Sequence, residues 1–564
     1  MHKPNGQTNP GPGLCLTLVL ASSLASGSLG CGDDGPGDEP DAATDSAVTA
    51  DAQVDAEVPF EIDPERVYED IEALAATELA GRAPGTPGNE AAMAMVETLF
   101  GDLGLLPAGE GGTYRQTFQY DSWAPIAAPA VALGGTALEY DADYALLSYS
   151  GSVDVTAEIV FVGYGLTVPP FDATQFPECP LPSTGYDDYE GVDVTGRVAL
   201  VLRHGPDDNQ TIYNSCPANE ACDAPPCLWN FGYKTANARL HGAAAVLLVQ
   251  DYRHPAGEII QGNIGLEYYR EDLGALFLDR TKVEAAIPDL PSWASSIDSS
   301  GAPESRPTGV QASVFVSTEI AQVECSNILG ALEGQDGQIG HEVVVLGAHL
   351  DHLGEDPFSG SFYPGADDNA SGTAVMMELA RAFAHAGPPL ARTLLFAAWN
   401  AEEAGLIGSY FYTQHPTYPL EDTILAFSVD MVGLGDGLGV DVYGGTSYRS
   451  LVTAMQRSVA DAGQSWAVVA NLPLDASDHA VFVLEGIPGV LISSTGDHAT
   501  YHTPADGAWG INLASLEATL GVMWPTLQTY GYGMEAQYQK SAWRPLAPSA
   551  PVLPDALHPR LRDK

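Results

Sequence analysis

EVVVLGAHLDHLG, residues 342–354, begins as an unbroken apolar run and stops abruptly at His349, Leu350 and Asp351. Four more segments follow it: GADDNASG (365–372), RTLLFAAWNAEEAG (392–405), ILAFSVDMVG (424–433) and YHTPAD (501–506). Three of the five share a pattern, a short run of Val, Leu, Ile, Phe and Ala with a carboxylate or imidazole at or just past its end. Short runs without alternation read as strands buried on both faces, so a parallel sheet covered by helices is their natural host. Ligands of such sheets bind outside the carboxyl ends of the strands. The pattern therefore predicts an α/β fold with His349, Glu402, Glu403 and Asp430 gathered on one rim.

Two imidazoles and four or five carboxylates packed together are untenable without cations, because each buried carboxylate carries a large desolvation cost. A pair of divalent ions resolves this, and a mixed His and Asp/Glu set with open positions suits zinc. Two such ions about 3.5–4 Å apart can share one bridging carboxylate. The order H-x-D, D-D-N-A-S-G, E-E, D and Y-H resembles the co-catalytic, two-zinc aminopeptidases, relatives of bacterial leucyl aminopeptidases and of glutamate carboxypeptidase. The resemblance covers most of residues 60–530. It implies that His349 and Asp430 hold one zinc, that Glu403 and His502 hold the other, and that Asp368 bridges both. Asp368 is preferred to Asp367 because the family's bridging Asp sits four residues before the Gly of the S-G pair, here Gly372. Glu402 is then the general base that takes a proton from the water between the metals. By the same resemblance Asp351 looks like the carboxylate that orients the His349 imidazole, and Tyr501 matches a tyrosine that bonds the oxyanion in some members.

Other histidines compete for these roles. His341-Glu342 fails the H-E-x-x-H template, since the fifth position is Val345. His498 and His502 are spaced i, i+4, but no Glu follows His498, and Gly496 and Pro504 predict a loop. His352 and His479 are the nearest impostor ligands and read as supporting residues, His479 within an SDHAVF segment that looks like the family's.

With 564 residues the chain is long enough for two or three domains, and a hydrophobic content of 45% supports a sizeable core. A formal net charge of −52 excludes a nucleic-acid polyanion as natural partner. Residues 1–30 read as an export signal: Lys3 precedes an apolar stretch, 14–24, too short to span a bilayer. Ser28-Leu29-Gly30-Cys31 resembles a bacterial lipobox, which implies a lipid anchor on Cys31 at the cell envelope; cleavage near Ala25 or Gly30 with full secretion is the alternative. Residues 31–58, rich in Asp, Glu, Pro, Gly and Ala, read as a flexible acidic tether.

The catalytic domain is expected at 59–147 and 310–536, with a loose tail at 537–564. Val67, Ile71, Leu74 and Leu79 have helical spacing behind Asp63-Pro64, a helix start. GRAPGTPGNEAA opens a second helix over 90–103, and TYRQTFQY (113–120) alternates as a strand does. After Gly372, Val375, Leu379 and Phe383 form one helical face and Glu378, Arg381 and His385 another. Residues 148–309 resemble the protease-associated domain, a small α/β module without chemistry of its own that some of these peptidases carry as an insertion. Cys179, Cys216, Cys222 and Cys227 fall within it and are expected to form two disulfides in an exported protein. A zinc knuckle would need tight C-x2-C pairs, which are missing. Cys325 reads as a buried thiol, and Cys15 lies in the signal.

The expected fold is thus a mixed, largely parallel sheet flanked by helices, zinc-peptidase-like, with an inserted small α/β domain. The expected activity is a zinc-dependent aminopeptidase acting on peptides with a free N-terminus. Its rivals are a carboxypeptidase, a one-zinc glutaminyl cyclase, and a receptor on the same fold without chemistry.

Overall fold

The computed structural model describes residues 61–533, apart from 148, 169, 171–183, 207–230, 258, 260–270, 386–388 and 475. All of these belong to one compact unit, Pro59–Lys564. The expected signal at 1–30, the expected lipid-bearing Cys31, the expected tether at 31–58, Cys179, Cys216, Cys222, Cys227 and the tail at 537–564 lie outside the described residues. Among those described, no helix is long and apolar enough to cross a membrane.

The chain enters through two helices with local sequence signals. In α1 (Pro64–Leu74) the Asp63 carboxylate accepts the Glu65 N–H and Pro64 occupies the first turn, while Val67, Ile71 and Leu74 are buried. In α2 (Pro87–Asp102) the Thr86 hydroxyl accepts the Asn89 N–H. Next come β1 (Arg115–Leu133), β2 (Tyr144–Leu146), β3 (Val153–Phe161), β4 (Val198–Leu202), β5 (Ala245–Val249) and β6 (Gly274–Leu278). The long strand β7 (Arg306–Leu332) leads to β8 (Val343–His349), β9 (Thr393–Trp399), β10 (Thr423–Val429), β11 (Gly439–Tyr443), β12 (Ala467–Asn471) and β13 (Gly489–Ser494).

These strands belong to one 15-stranded sheet in the order β12-β11-β13-β10-β8-β9-β7-β3-β4-β5-β6-β2, with β1 pairing β7 off that path. Strand β7 is the hinge of the architecture. Its Ile328–Leu332 end pairs antiparallel with β9, and its Arg306–Val316 end pairs with β3. The sheet of residues 148–309 is therefore continuous with that of β8–β13. Strand β2, before position 148, also pairs with β6 in that sheet.

Strands β8, β9 and β10 are buried at every position and run parallel, as unalternated apolar runs predict. Their register decides the site. His349 lies opposite Trp399, Gly347 opposite Ser428, and Val429 opposite Ile492 of β13. The polar residues that end these strands consequently reach the same level of the sheet.

Helix α3 (Gly372–His385) lies against this region and buries Val375, Leu379 and Phe383. Each such side chain contributes roughly 1.5–3 kcal/mol on burial. Glu378, expected on the polar face, is instead fully buried. Its carboxylate accepts from Arg66 at 2.6 Å and from the Asp63 N–H at 3.0 Å, and Arg381 stands 3.3 Å away. The charge is tolerated because α1 supplies cationic and backbone donors to it.

Candidate metal centre

Each predicted ligand sits where an element ends. His349 is the last residue of β8, and Asp430 follows β10 directly. Glu402 and Glu403 follow β9 after Asn400 and a left-handed Ala401 (φ 57°). Asp368 lies in the turn just before α3, and His502, also left-handed (φ 54°), in the loop after β13. Non-glycine residues persist in that region only when their surroundings over-determine them, and they gather at functional sites.

The five side chains form two triangles with a common corner. His349 Nε2 lies 3.2 Å from Asp368 Oδ1 and 3.3 Å from Asp430 Oδ1. His502 Nε2 lies 3.1 Å from Asp368 Oδ2 and 3.2 Å from Glu403 Oε2. The two oxygens of Asp368 thus face different histidines. A tetrahedral ion with bonds of about 2.0–2.1 Å needs ligand atoms about 3.3 Å apart, the spacing found here. Asp368 Oδ2, Asp430 Oδ1 and His502 Nε2 are buried without a hydrogen-bond partner among the described residues. Lone pairs of such atoms left facing one another suit a cation between them. Burial alone would lower the pKa of both imidazoles, yet the facing carboxylates outweigh it and raise them. The cluster attracts positive charge. Donor set, spacing and unpartnered atoms all fit divalent metal.

A third cluster, His204, Asp251 and His254, also has ligand-type side chains, but its contacts are ordinary hydrogen bonds. Asp251 accepts from His254 Nδ1 at 2.7 Å and from Arg253 Nη2 at 2.7 Å, leaving no comparable gap.

Neighbouring residues hold the ligands in place. Asp367, passed over as a bridge, accepts the Gly433 and Leu434 N–H groups and contacts His498 Nδ1 at 2.6 Å. The expected role of Asp351 divides between its two carbonyl groups. Its backbone oxygen lies 3.2 Å from His349 Nδ1, whereas its carboxylate, 3.9 Å from that nitrogen, accepts the N–H groups of Glu402 and Glu403. Ring orientation comes from the backbone, and the carboxylate fixes the Glu pair instead. Gly372 lets α3 approach β10: a Cβ there would lie 2.1 Å from the Val429 oxygen.

Glu402 is half-buried, and burial together with the charges of Glu403, Asp478 and Asp430 pushes its carboxyl pKa up against the pull of His349. Tyr501 is 52% exposed, with its ring stacked on His502 at 3.7 Å. Asp478 is fully buried, and burial raises it to about 7.

Three supports were not identified from the sequence. Asp506 accepts the N–H groups of Asp367 and Asp368 and so anchors the bridging residue; its place in YHTPAD was the available signal. Asn400 exchanges amide hydrogen bonds with Asn89 at 3.0 and 3.1 Å and fixes the chain ahead of Glu402. Arg82, fully buried, donates to the carbonyls of Leu74, Leu350, Pro364 and Gly365 at 2.7–2.8 Å. A charged residue inside the Gly- and Pro-rich GRAPGTPGN loop was its only sequence mark.

Residues 327–527 match the model of peptidase family M28. An aminopeptidase of Pseudomonas aeruginosa is 26% identical over 367 residues, 64% of this chain and 56% of its own length. The chain thus spans little more than half of that curated relative. Among solved structures, an aminopeptidase from Aneurinibacillus sp. strain AM-1 superposes with a TM-score of 0.59 at 24% identity, covering 83% of this chain and 94% of the other. A zinc aminopeptidase from Bacillus subtilis gives 0.58 at 19% identity, covering 85% and 98%. These two likenesses concern the fold. The matched segment begins in β7 and contains His349, Asp368, Glu402, Glu403, Asp430 and His502, so the candidate centre lies within the part of the chain that is similar to peptidase family M28.

Proposed function

We propose that the chain is an exported, zinc-dependent aminopeptidase that removes N-terminal residues from peptides. The observation that carries the reading is the pair of ligand triangles meeting at Asp368. His349 and Asp430 would hold one zinc, Glu403 and His502 the second, and Asp368 both. Bound zinc supplies Lewis acidity, polarising the scissile carbonyl and easing deprotonation of the attacking water. Glu402 accepts that proton and returns it to the leaving amine. Tyr501, half exposed and with its ring stacked on His502, would bond the developing oxyanion.

An aminopeptidase must also hold a cationic α-amine, and the carboxylates around the ligands favour that charge. A carboxypeptidase needs a free cation for the substrate carboxylate. Arg82 feels the charge of Asp506, Asp351, Asp368 and Glu403, but four of its five N–H donors are committed to backbone carbonyls.

Metal analysis should find two zinc per chain, and chelation should abolish hydrolysis until zinc is restored. A peptide amide with a free N-terminus should be cut and its N-acetylated form left intact. Full activity with one tightly held zinc would overturn the two-metal reading, and cleavage of the acetylated peptide from its C-terminus would make the chain a carboxypeptidase. The export reading has its own test. Wild-type chain expressed in a bacterium should partition into detergent, and Cys31→Ser should move it to the aqueous phase. A mature N-terminus at any residue other than 31 would refute the anchor.

A further inference from the structure

His352 has a place in the centre that the five-ligand set does not require. It is fully buried three residues after His349, edge-on to the His502 ring at a centroid distance of 5.7 Å. Its Nδ1 lies 2.7 Å from Glu403 Oε1 and 3.8 Å from Asp368 Oδ2. Space for the ring depends on a glycine: at Gly365 (φ 59°) a Cβ would come within 2.4 Å of the imidazole.

Two roles are open to such an imidazole, ligand or support, and the oxygens of Glu403 distinguish them. Oε2 faces His502 Nε2 at 3.2 Å, the spacing of two atoms sharing an ion. Oε1 faces His352 Nδ1 at 2.7 Å, the length of a charge-assisted hydrogen bond and too short for two corners of one tetrahedron. The remaining nitrogen, His352 Nε2, is buried without a partner among the described residues. The tautomer with its hydrogen on Nδ1 satisfies Glu403 and leaves only an unprotonated lone pair on the buried Nε2. The opposite tautomer would set a lone pair against a carboxylate and bury an unsatisfied N–H.

We infer that His352 is a positioning residue: by donating Nδ1–H to Glu403 Oε1 it holds Oε2 toward the His502 side of the centre and sets the affinity of that one metal position. The inference rests on the two-metal reading above. Removing an outer partner of a metal ligand typically weakens metal binding about 10–100-fold. The effect should be confined to one of the two ions, because His352 faces Glu403 Oε1 and, on Asp368, the oxygen Oδ2 that is turned toward His502.

Three substitutions test this through metal affinity, measured by competition between the apoprotein and a chromophoric chelator. The amide nitrogen of Asn falls near the position of His Nδ1, whereas that of Gln falls near Nε2. His352→Asn should therefore bind both zinc ions within a few-fold of wild type. His352→Gln and His352→Phe should each bind one zinc normally and the other about 10–100-fold more weakly. At saturating zinc, KM for the peptide should be close to wild type in all three. Equal affinity in all three variants and wild type would overturn the inference. So would an Asn variant as impaired as the Phe variant, which would make His352 a ligand or a packing residue. Wild-type protein that binds a single zinc would instead remove the two-metal reading beneath, so the two failures are separable.

Discussion

Glu402→Gln should retain both zinc ions and bind peptide, yet turn over about 10²–10⁴-fold more slowly. The substitution keeps the size and a hydrogen-bonding head but cannot accept a proton. Its backbone is held by the same contact as in wild type, from the Glu402 N–H to Asp351 Oδ1, so the loop should not move. The adjacent substitution should behave differently. Glu403→Gln replaces a charged oxygen that faces His502 and should lower zinc content, with activity partly recovered at high zinc. Metal analysis and kcat on the same two preparations separate the roles. A Glu402→Gln enzyme at wild-type rate would remove the proposed base, and a Glu402→Gln enzyme short of zinc would exchange the assignments of the two neighbours.

Arg82→Ala should be the most destabilising single substitution near the centre, by about 3–5 kcal/mol, because it removes one side of a buried charge arrangement. Four carbonyls from three separate segments lose their donors together: Leu74 of α1, Leu350 after β8, and Pro364 and Gly365 ahead of Asp368. Burial lowers the guanidinium to about 10 while Asp506, Asp351, Asp368 and Glu403 hold it up, so it stays charged at neutral pH. Arg82→Lys separates charge from geometry. Lysine keeps the cation but donates from one atom, and it cannot span acceptors that Arg82 reaches through Nε, Nη1 and Nη2. It should recover only part of the loss. Denaturant midpoints of the zinc-loaded proteins measure both, and an Arg82→Ala midpoint equal to wild type would show that the clamp contributes nothing.

The difference between Glu402 and Arg82 marks how far the residues alone could be read. Glu402 belongs to a pattern local in sequence, an apolar run followed at once by charge, and the sheet geometry turns that into a position on a rim. Arg82 acts on carbonyls that lie up to 283 residues away, and nothing in its own neighbourhood names them. Glu378 shows the same limit within a helix. Periodicity put it on the face away from Val375 and Leu379, but α1 covers that face too and makes the carboxylate a buried partner of Arg66. Asp351 stands between these cases. Its nearness to His349 was legible, whereas the choice between carbonyl and carboxylate depended on where the Glu402 and Glu403 N–H groups came to lie.

By itself, then, the sequence determined the buried parallel strands, the order of the polar residues that end them, and the chemical type of the ligand set. These depend on composition and on spacing over a few residues. Only the tertiary structure decided which oxygen faces which imidazole, and that His352 Nδ1 lies against Glu403 Oε1. The register of β8 against β9 and β10 sets the level of the side chains, and the left-handed turns at Ala401 and His502 set their direction. Both are products of long-range packing, for which the sequence carries no local period.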